Sequence, residues 1–179
     1  ACLAEKGKKV LAIDMDPQGN TTSGFGVDKN GIENTLYELL LGEAETKDTI
    51  VKDVVENLDL IPSNINLSGA EIELVGIDDK EFILKGITDK LRRKYDYIIL
   101  DCPPSLNMLT INALTAATSV LVPIQCEYYA LEGLSQLIHT IDLVKERLNK
   151  RLKMEGVVFT MYDARTNLSL QVVENVKEN

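Results

Sequence analysis

Two hydrophobic patterns alternate along the chain. Val10–Ile13, Leu58–Ile61, Tyr97–Leu100, Val120–Ile124 and Val157–Met161 are short runs of mostly apolar residues. Runs of this length suit strands of a parallel sheet covered on both faces, and Tyr97–Asp101 reads as the most buried of them. Between the runs, apolar residues recur every three or four positions. Phe82, Ile83, Ile87 and Leu91 carry that period across a helix expected at Lys80–Lys94. Leu106–Thr118 and Leu131–Leu152 read as further helices, and Leu168–Lys177 as a last amphipathic stretch. Thr35 and Glu38 have capping-box spacing ahead of Leu36, Leu39 and Leu40. Ser68 and Glu71 repeat that spacing, with Leu67 and Ile72 placed as a hydrophobic staple. Ala1–Gly7 reads as the last turn of a helix stopped by Gly7. A start inside a helix, without Met, leads us to expect an N-terminal piece ahead of it.

Strands alternating with helices predict an α/β fold, a mostly parallel sheet with helices on both faces, organised as a single domain over residues 1–179. In such sheets ligands bind at the carboxyl ends of the strands, so polar residues there carry the functional argument. Asp14–Gly31 follows the first strand as a long loop rich in Gly, Asn, Asp and Thr, and loops beyond about 12 residues are usually functional.

Composition narrows the classes. The 179 residues carry a net charge of −9, which argues against a protein that merely coats nucleic acid. Aromatic residues are 5 % and Trp is absent, which removes a base-stacking platform. Cys2, Cys102 and Cys126 fit no zinc or redox spacing, and an odd number suits reduced thiols in a cytoplasmic setting. No apolar stretch approaches the roughly 20 residues that span a bilayer, so no membrane association is expected.

Two strands end in aspartate. Tyr97-Ile-Ile-Leu-Asp101 has the Walker B form, in which a strand-end carboxylate holds Mg²⁺ through water. Alone it is weak, because many such aspartates only cap the next helix. Asp14-Met-Asp16-Pro17-Gln18-Gly-Asn places two carboxylates two residues apart, followed by a rigid Pro and a Gly-Asn-Thr-Thr segment. It fits an Asx-rich turn. It also fits the Asp-x-Asp of a haloacid-dehalogenase-type phosphatase, although Gln18 stands where that family places Thr or Val.

Asp14–Thr22, Asp96–Leu106, Pro123–Leu134 and Thr160–Asn167, taken in order, resemble the ParA/Soj chromosome- and plasmid-partitioning ATPases. The resemblance implies a deviant-Walker P-loop NTPase of SIMIBI-like architecture, similar to MinD and incomplete here at both ends. It implies ATP and Mg²⁺ as cofactors, a homodimer formed with ATP, non-specific DNA binding, and hydrolysis stimulated by a ParB-type centromere-binding partner at the nucleoid. Carried over by residue, Asp16 positions the attacking water and Asp101 is the Walker B carboxylate that anchors Mg²⁺ through water. Asp14 supports the Mg²⁺ shell. Asp14, Asp16, Pro17 and Gln18, with Met161, Tyr162 and Asp163, fall at nucleotide-binding positions.

The sequence departs from the family at its glycine-rich loop. Gly26 and Gly31 have the nearest spacing to Gly-x₄-Gly-Lys-Thr/Ser, but Ile32 follows. We expect the phosphate loop upstream and further strands and helices downstream. The competing readings are a homologue that has lost nucleotide binding and serves as a partner-binding module, and a MinD-like positioning ATPase. Lys90–Lys94 and Lys145–Lys153 are basic clusters, read either as helix C-terminal charge or as DNA-facing patches. Arg165 is a candidate DNA or partner contact. His139, alone of its kind, reads as an ordinary helix residue.

Overall fold

The computed structural model describes residues 1–127 and 130–178, so Tyr128 and Tyr129 of the Pro123–Leu134 motif lie outside the described residues. The chain forms two compact units, Ala1–Ala116 and Ala117–Asn179.

The first unit carries a four-stranded sheet in the order β2-β3-β1-β4. Its strands are β1 (Val10–Asp14), β2 (Val51–Val55), β3 (Leu58–Ile61) and β4 (Tyr97–Asp101). β1 lies between β3 and β4 and is parallel to both, whereas β2 runs antiparallel to β3. All five residues of β1 are buried, as a continuous apolar run covered on both faces requires. On one face Leu11 and Ile13 join a core with Leu36, Leu67, Leu84 and Leu109. On the other, Val10 and Ala12 pack with Ala4, Leu58 and Leu60. Each fully buried Leu or Ile contributes about 1.5–3 kcal/mol relative to exposure.

Helices α1 (Cys2–Glu5), α2 (Asn20–Gly24), α3 (Leu36–Leu41), α4 (Thr46–Thr49), α5 (Leu67–Glu73), α6 (Ile83–Leu91) and α7 (Met108–Ala116) complete this unit. The expected turn before Gly7 is α1, and Gly7 takes φ +73°. The Thr35–Glu38 capping box forms in full at α3. α7 is buried nearly all round, including Asn112, whose amide is satisfied by the Leu84 N–H and the Lys80 and Met108 carbonyls.

Several expectations are corrected. β4 is not the most buried strand. It is an edge of this sheet, with Tyr97, Ile99 and Asp101 exposed on one face. The Ser68–Glu71 box does not form, because α5 begins at Leu67, before Ser68, and Ile72 points away from the core. The loop after β1 contains α2. The helix expected at Lys80–Lys94 is a 3-10 turn, Lys80–Phe82, followed by α6.

The second unit pairs β5 (Ser119–Gln125) with β6 (Lys153–Thr160) in parallel, joined through α8 (Ala130–Arg147), with α9 (Asn167–Glu178) last. Val122, Ile124 and Leu134 form its small core with Val157, Phe159 and Val176. α8 ends five residues before Leu152, and β6 starts at Lys153, earlier than the apolar run Val157–Met161 indicates.

Candidate functional site

The register of β1 and β4 sets Asp14 directly beside Asp101, each the last residue of its strand. The Met15 N–H donates to the Asp101 carbonyl at 2.8 Å, so the ladder continues one step past the carboxylates. Their environments differ sharply. Asp14 is fully buried, and its Oδ2 accepts both the Thr22 N–H and the Thr22 hydroxyl at 2.7 Å. Its Oδ1 accepts the Asp16 N–H at 3.2 Å. Burial raises the Asp14 pKa above the ordinary carboxylate value; the Thr22 and Asp16 hydrogen bonds partly offset this, and the Asp101 charge adds to the rise. Asp101 is exposed, and its Oδ2 accepts the Thr21 hydroxyl at 2.5 Å. Adjacent threonines of α2 thus hold the two strand ends.

Asp16 sits half-buried at the turn between β1 and α2. Its Oδ1 accepts the Gln18 N–H at 2.9 Å and its carbonyl accepts the Gly19 N–H at 2.9 Å. The Ser63 hydroxyl donates to the same carbonyl at 2.8 Å, and the Ser63 N–H donates to the Thr22 hydroxyl at 2.9 Å. Ser63 reaches this turn because β3 lies parallel beside β1, with Ile13 opposite Ile61. Gly19 takes φ +62°, and a Cβ there would stand 2.8 Å from the Ser63 carbonyl oxygen. Pro17 is half-buried, and Gln18 is exposed, its carbonyl held by the Lys29 ammonium at 2.6 Å.

The donor set fits Mg²⁺ held largely by a polyphosphate and water. Among the described residues no cluster of three His, Cys, Asp or Glu side chains could hold a metal ion alone. Mg²⁺ in phosphate-transfer sites takes one or two carboxylates and fills its octahedron with water and phosphate. Asp101 is exposed and offers its Oδ1, whereas Asp14 spends its oxygens on the loop. Cys102 follows Asp101, and desolvation, with a contribution from the Asp101 charge, pushes its thiol up to about 12.

Met161, Tyr162, Asp163 and Arg165 belong to the second unit, just past β6. Met161 has left the strand expected to contain it; it takes φ +56° and is 82 % exposed. Asp163 accepts the Arg165 side chain at 2.7 and 2.9 Å and the Arg165 N–H at 2.9 Å, which holds its carboxyl below the ordinary range. Arg165 is thus tied to Asp163 while its side chain stays 89 % exposed. In the basic clusters, Arg92 pairs with Asp89 and donates to the Ala116 carbonyl at the end of α7, a helix-terminus role. His139 is exposed on α8. The resemblance includes Thr21 and Thr22 within Asp14–Thr22 without giving either an individual role, and Ser63 carries no signal in the sequence, because its approach depends on β3 pairing with β1.

Comparison with known proteins sets this geometry in context. The AAA domain family matches residues 1–154. The sporulation initiation inhibitor protein Soj of Bacillus subtilis is 57 % identical over 178 residues, covering 99 % of this chain and 70 % of that protein. The chromosome partitioning protein ParA of Myxococcus xanthus is 52 % identical over 177 residues, covering 99 % of this chain and 62 % of that protein. A crystal structure of cobyrinic acid a,c-diamide synthase from Mycobacterium smegmatis, with bound ATP analogue and magnesium, matches with a TM-score of 0.92 at 42 % identity. That match covers 99 % of this chain and 72 % of that one. The class these define is the ParA/MinD-type P-loop NTPase. Within it, the chain belongs to the ParA/Soj family of chromosome-partitioning ATPases, and spans 62 % to 70 % of the length of the two relatives.

Proposed function

We propose that this chain forms the Mg²⁺-facing part of an ATP-hydrolysing partitioning protein. The observation that carries the reading is the Asp14–Asp101 pair at adjacent strand ends, with Thr21 and Thr22 of one short helix holding one aspartate each. Asp101 faces solvent and would hold Mg²⁺ through water. Mg²⁺, when bound with ATP, neutralises the β and γ phosphates. Asp14 fixes the loop that carries Asp16, and Asp16 orients the attacking water. Pro17 and Gln18 line the same turn. Catalysis of this kind is positioning plus electrostatics.

In this reading the phosphate cradle and its lysine come from outside these 179 residues, where no Gly-x₄-Gly-Lys-Thr/Ser occurs. ATP-driven homodimerisation, non-specific DNA binding, stimulation by a ParB-type partner and action at the nucleoid in the cytoplasm complete the proposal. Met161, Tyr162 and Asp163 would face the base, with Arg165 toward DNA or a partner. The relatives named for chromosome partitioning, and the ATP-analogue and magnesium complex of the synthase, support it. Among the described residues no helix is long and apolar enough to cross a membrane.

Asp16→Ala in the full-length protein tests the assignment. ATP binding is retained and hydrolysis is lost. Unchanged turnover contradicts the role of Asp16, and absence of ATP binding by the unaltered protein favours the non-enzymatic partner-binding module.

A further inference from the structure

Lys29 lies in a tight turn in the loop after α2. The Asn30 N–H donates to the Asp28 Oδ1 at 3.0 Å, and the Gly31 N–H donates to the Asp28 carbonyl at 3.1 Å. The Val27 N–H donates to the Thr22 carbonyl at 3.2 Å, which ties the start of this loop to the helix whose Thr22 holds Asp14. The loop therefore has a fixed place beside the strand ends, and Lys29 reaches back from it. Its ammonium donates to the Gln18 carbonyl at 2.6 Å, across 11 residues of chain. Its stem lies against the same turn, with Cδ 3.1 Å from where a Cβ on Gly19 would stand. Lys29 is half-buried, and none of the ion pairs among the described residues includes it. Its charge goes instead to a backbone carbonyl, in a charge-assisted bond stronger than a neutral one.

The contact bears on Asp16 through Gln18. The Gln18 N–H donates to the Asp16 Oδ1 at 2.9 Å and so points that carboxylate. The Gly19 N–H donates to the Asp16 carbonyl at 2.9 Å. Both donors belong to the turn and move with it, so they shape the turn without locating it. Two ties from outside locate it. The Ser63 hydroxyl, beyond β3, holds the Asp16 carbonyl, and the Lys29 ammonium holds the Gln18 carbonyl. The first grips the backbone of Asp16, and the second grips the residue whose N–H aims its carboxylate.

We propose that Lys29 is a positioning residue for ATP hydrolysis, acting through Gln18 to hold the Asp16 carboxylate in its working orientation. This role rests on that of Asp16 in orienting the attacking water. A lysine that served only to solvate the surface would leave turnover unchanged when replaced.

Steady-state ATP hydrolysis by the full-length protein, by its Lys29→Met and Lys29→Arg variants and by Asp16→Ala tests the role. Met keeps the apolar stem and removes the ammonium, whereas Arg keeps a cationic donor. Misplacing a reacting group by about 1 Å costs about 10²-fold in rate, and a loosened turn costs part of that. Lys29→Met lowers kcat by about tenfold, with KM for ATP within about twofold of wild type and an unchanged midpoint in urea. Lys29→Arg recovers most of the lost kcat. Hydrogen–deuterium exchange at the Gln18 and Gly19 amides, measured without nucleotide, is faster in Lys29→Met. Wild-type kcat in Lys29→Met overturns the proposal, as does a Lys29→Arg variant as slow as Lys29→Met. A raised KM with unchanged kcat, or a lowered kcat with unchanged exchange, makes Lys29 act on nucleotide and overturns it too. Wild-type turnover in Asp16→Ala removes the role of Asp16 and that of Lys29 with it. An inactive Asp16→Ala beside a fully active Lys29→Met overturns the role of Lys29 alone.

Discussion

Asp14 and Asp101 are register partners at the ends of adjacent parallel strands, yet one carboxylate is fully buried and the other faces solvent. The difference follows from what comes after each strand. β1 runs into a turn that folds back, so that Thr22 covers Asp14. β4 runs into Cys102-Pro103-Pro104, where no N–H is available at either proline to close over the Asp101 carboxylate. One aspartate thus becomes a structural acceptor, and its neighbour stays open to a cation.

Thr22→Val tests the buried half of this arrangement. The substitution keeps the shape and removes a hydroxyl that donates to Asp14 and accepts from the Ser63 N–H. Losing a charge-assisted bond and stranding a buried N–H costs about 2–4 kcal/mol. Thermal denaturation is expected to show a Tm lower by about 5–10 °C. An unchanged Tm contradicts the linkage.

Gly19→Ala tests the turn. At φ +62° an added Cβ carries a left-handed penalty of about 1–2 kcal/mol and meets the Ser63 carbonyl at 2.8 Å. The turn must move, and with it Asp16. Hydrolysis by the full-length protein falls more than tenfold, while the fall in stability, read by urea denaturation, stays within about 1–3 kcal/mol. Wild-type turnover would show that the position of Asp16 does not matter.

How much of this was legible follows from local chemistry. β1 announced itself because a strand covered on both faces must be apolar throughout. β2 did not, since Val-Lys-Asp-Val-Val belongs to an antiparallel edge strand with a register shift, and Asp53 sits at φ +49°. β4 misled for the opposite reason, since its apolar sequence reads as covered while one face is open. β6 begins in Lys-Met-Glu-Gly, where periodicity favours neither strand nor helix. At the site, strand-end position identified Asp14, Asp16 and Asp101 as candidates. Ser63 escaped because its approach depends on β3 lying beside β1, a pairing that no local signal encodes.

A second feature absent from the sequence pattern is the Asp59 cluster. Asp59 on β3 accepts the Lys52 ammonium at 2.6 Å, the Tyr95 hydroxyl at 2.5 Å and the Asp53 N–H at 2.9 Å. Burial alone would raise its pKa, but these donors outweigh burial and hold it below the ordinary value. A carboxylate lowered in the fold contributes stability above its unfolded pKa, near 4, and loses it as pH falls through the lower folded value. The gap in unfolding free energy between wild type and Asp59→Asn is therefore wide at pH 7 and narrows below about pH 4. Asp14, raised by burial, acts with the opposite sign, so its penalty is relieved on acidification. Urea titrations at neutral and acid pH read both. A gap that stays constant with pH contradicts the assignment to Asp59.

The central claim, that the open carboxylate at the end of β4 serves Mg²⁺ and ATP, is tested most directly by calorimetric titration of ATP into the full-length protein with and without Mg²⁺. Wild type binds more tightly when Mg²⁺ is present. Asp101→Ala loses that gain and binds with about the affinity wild type shows without the metal. Equal affinity and equal Mg²⁺ dependence in the two proteins would remove Asp101 from the metal site and contradict the account.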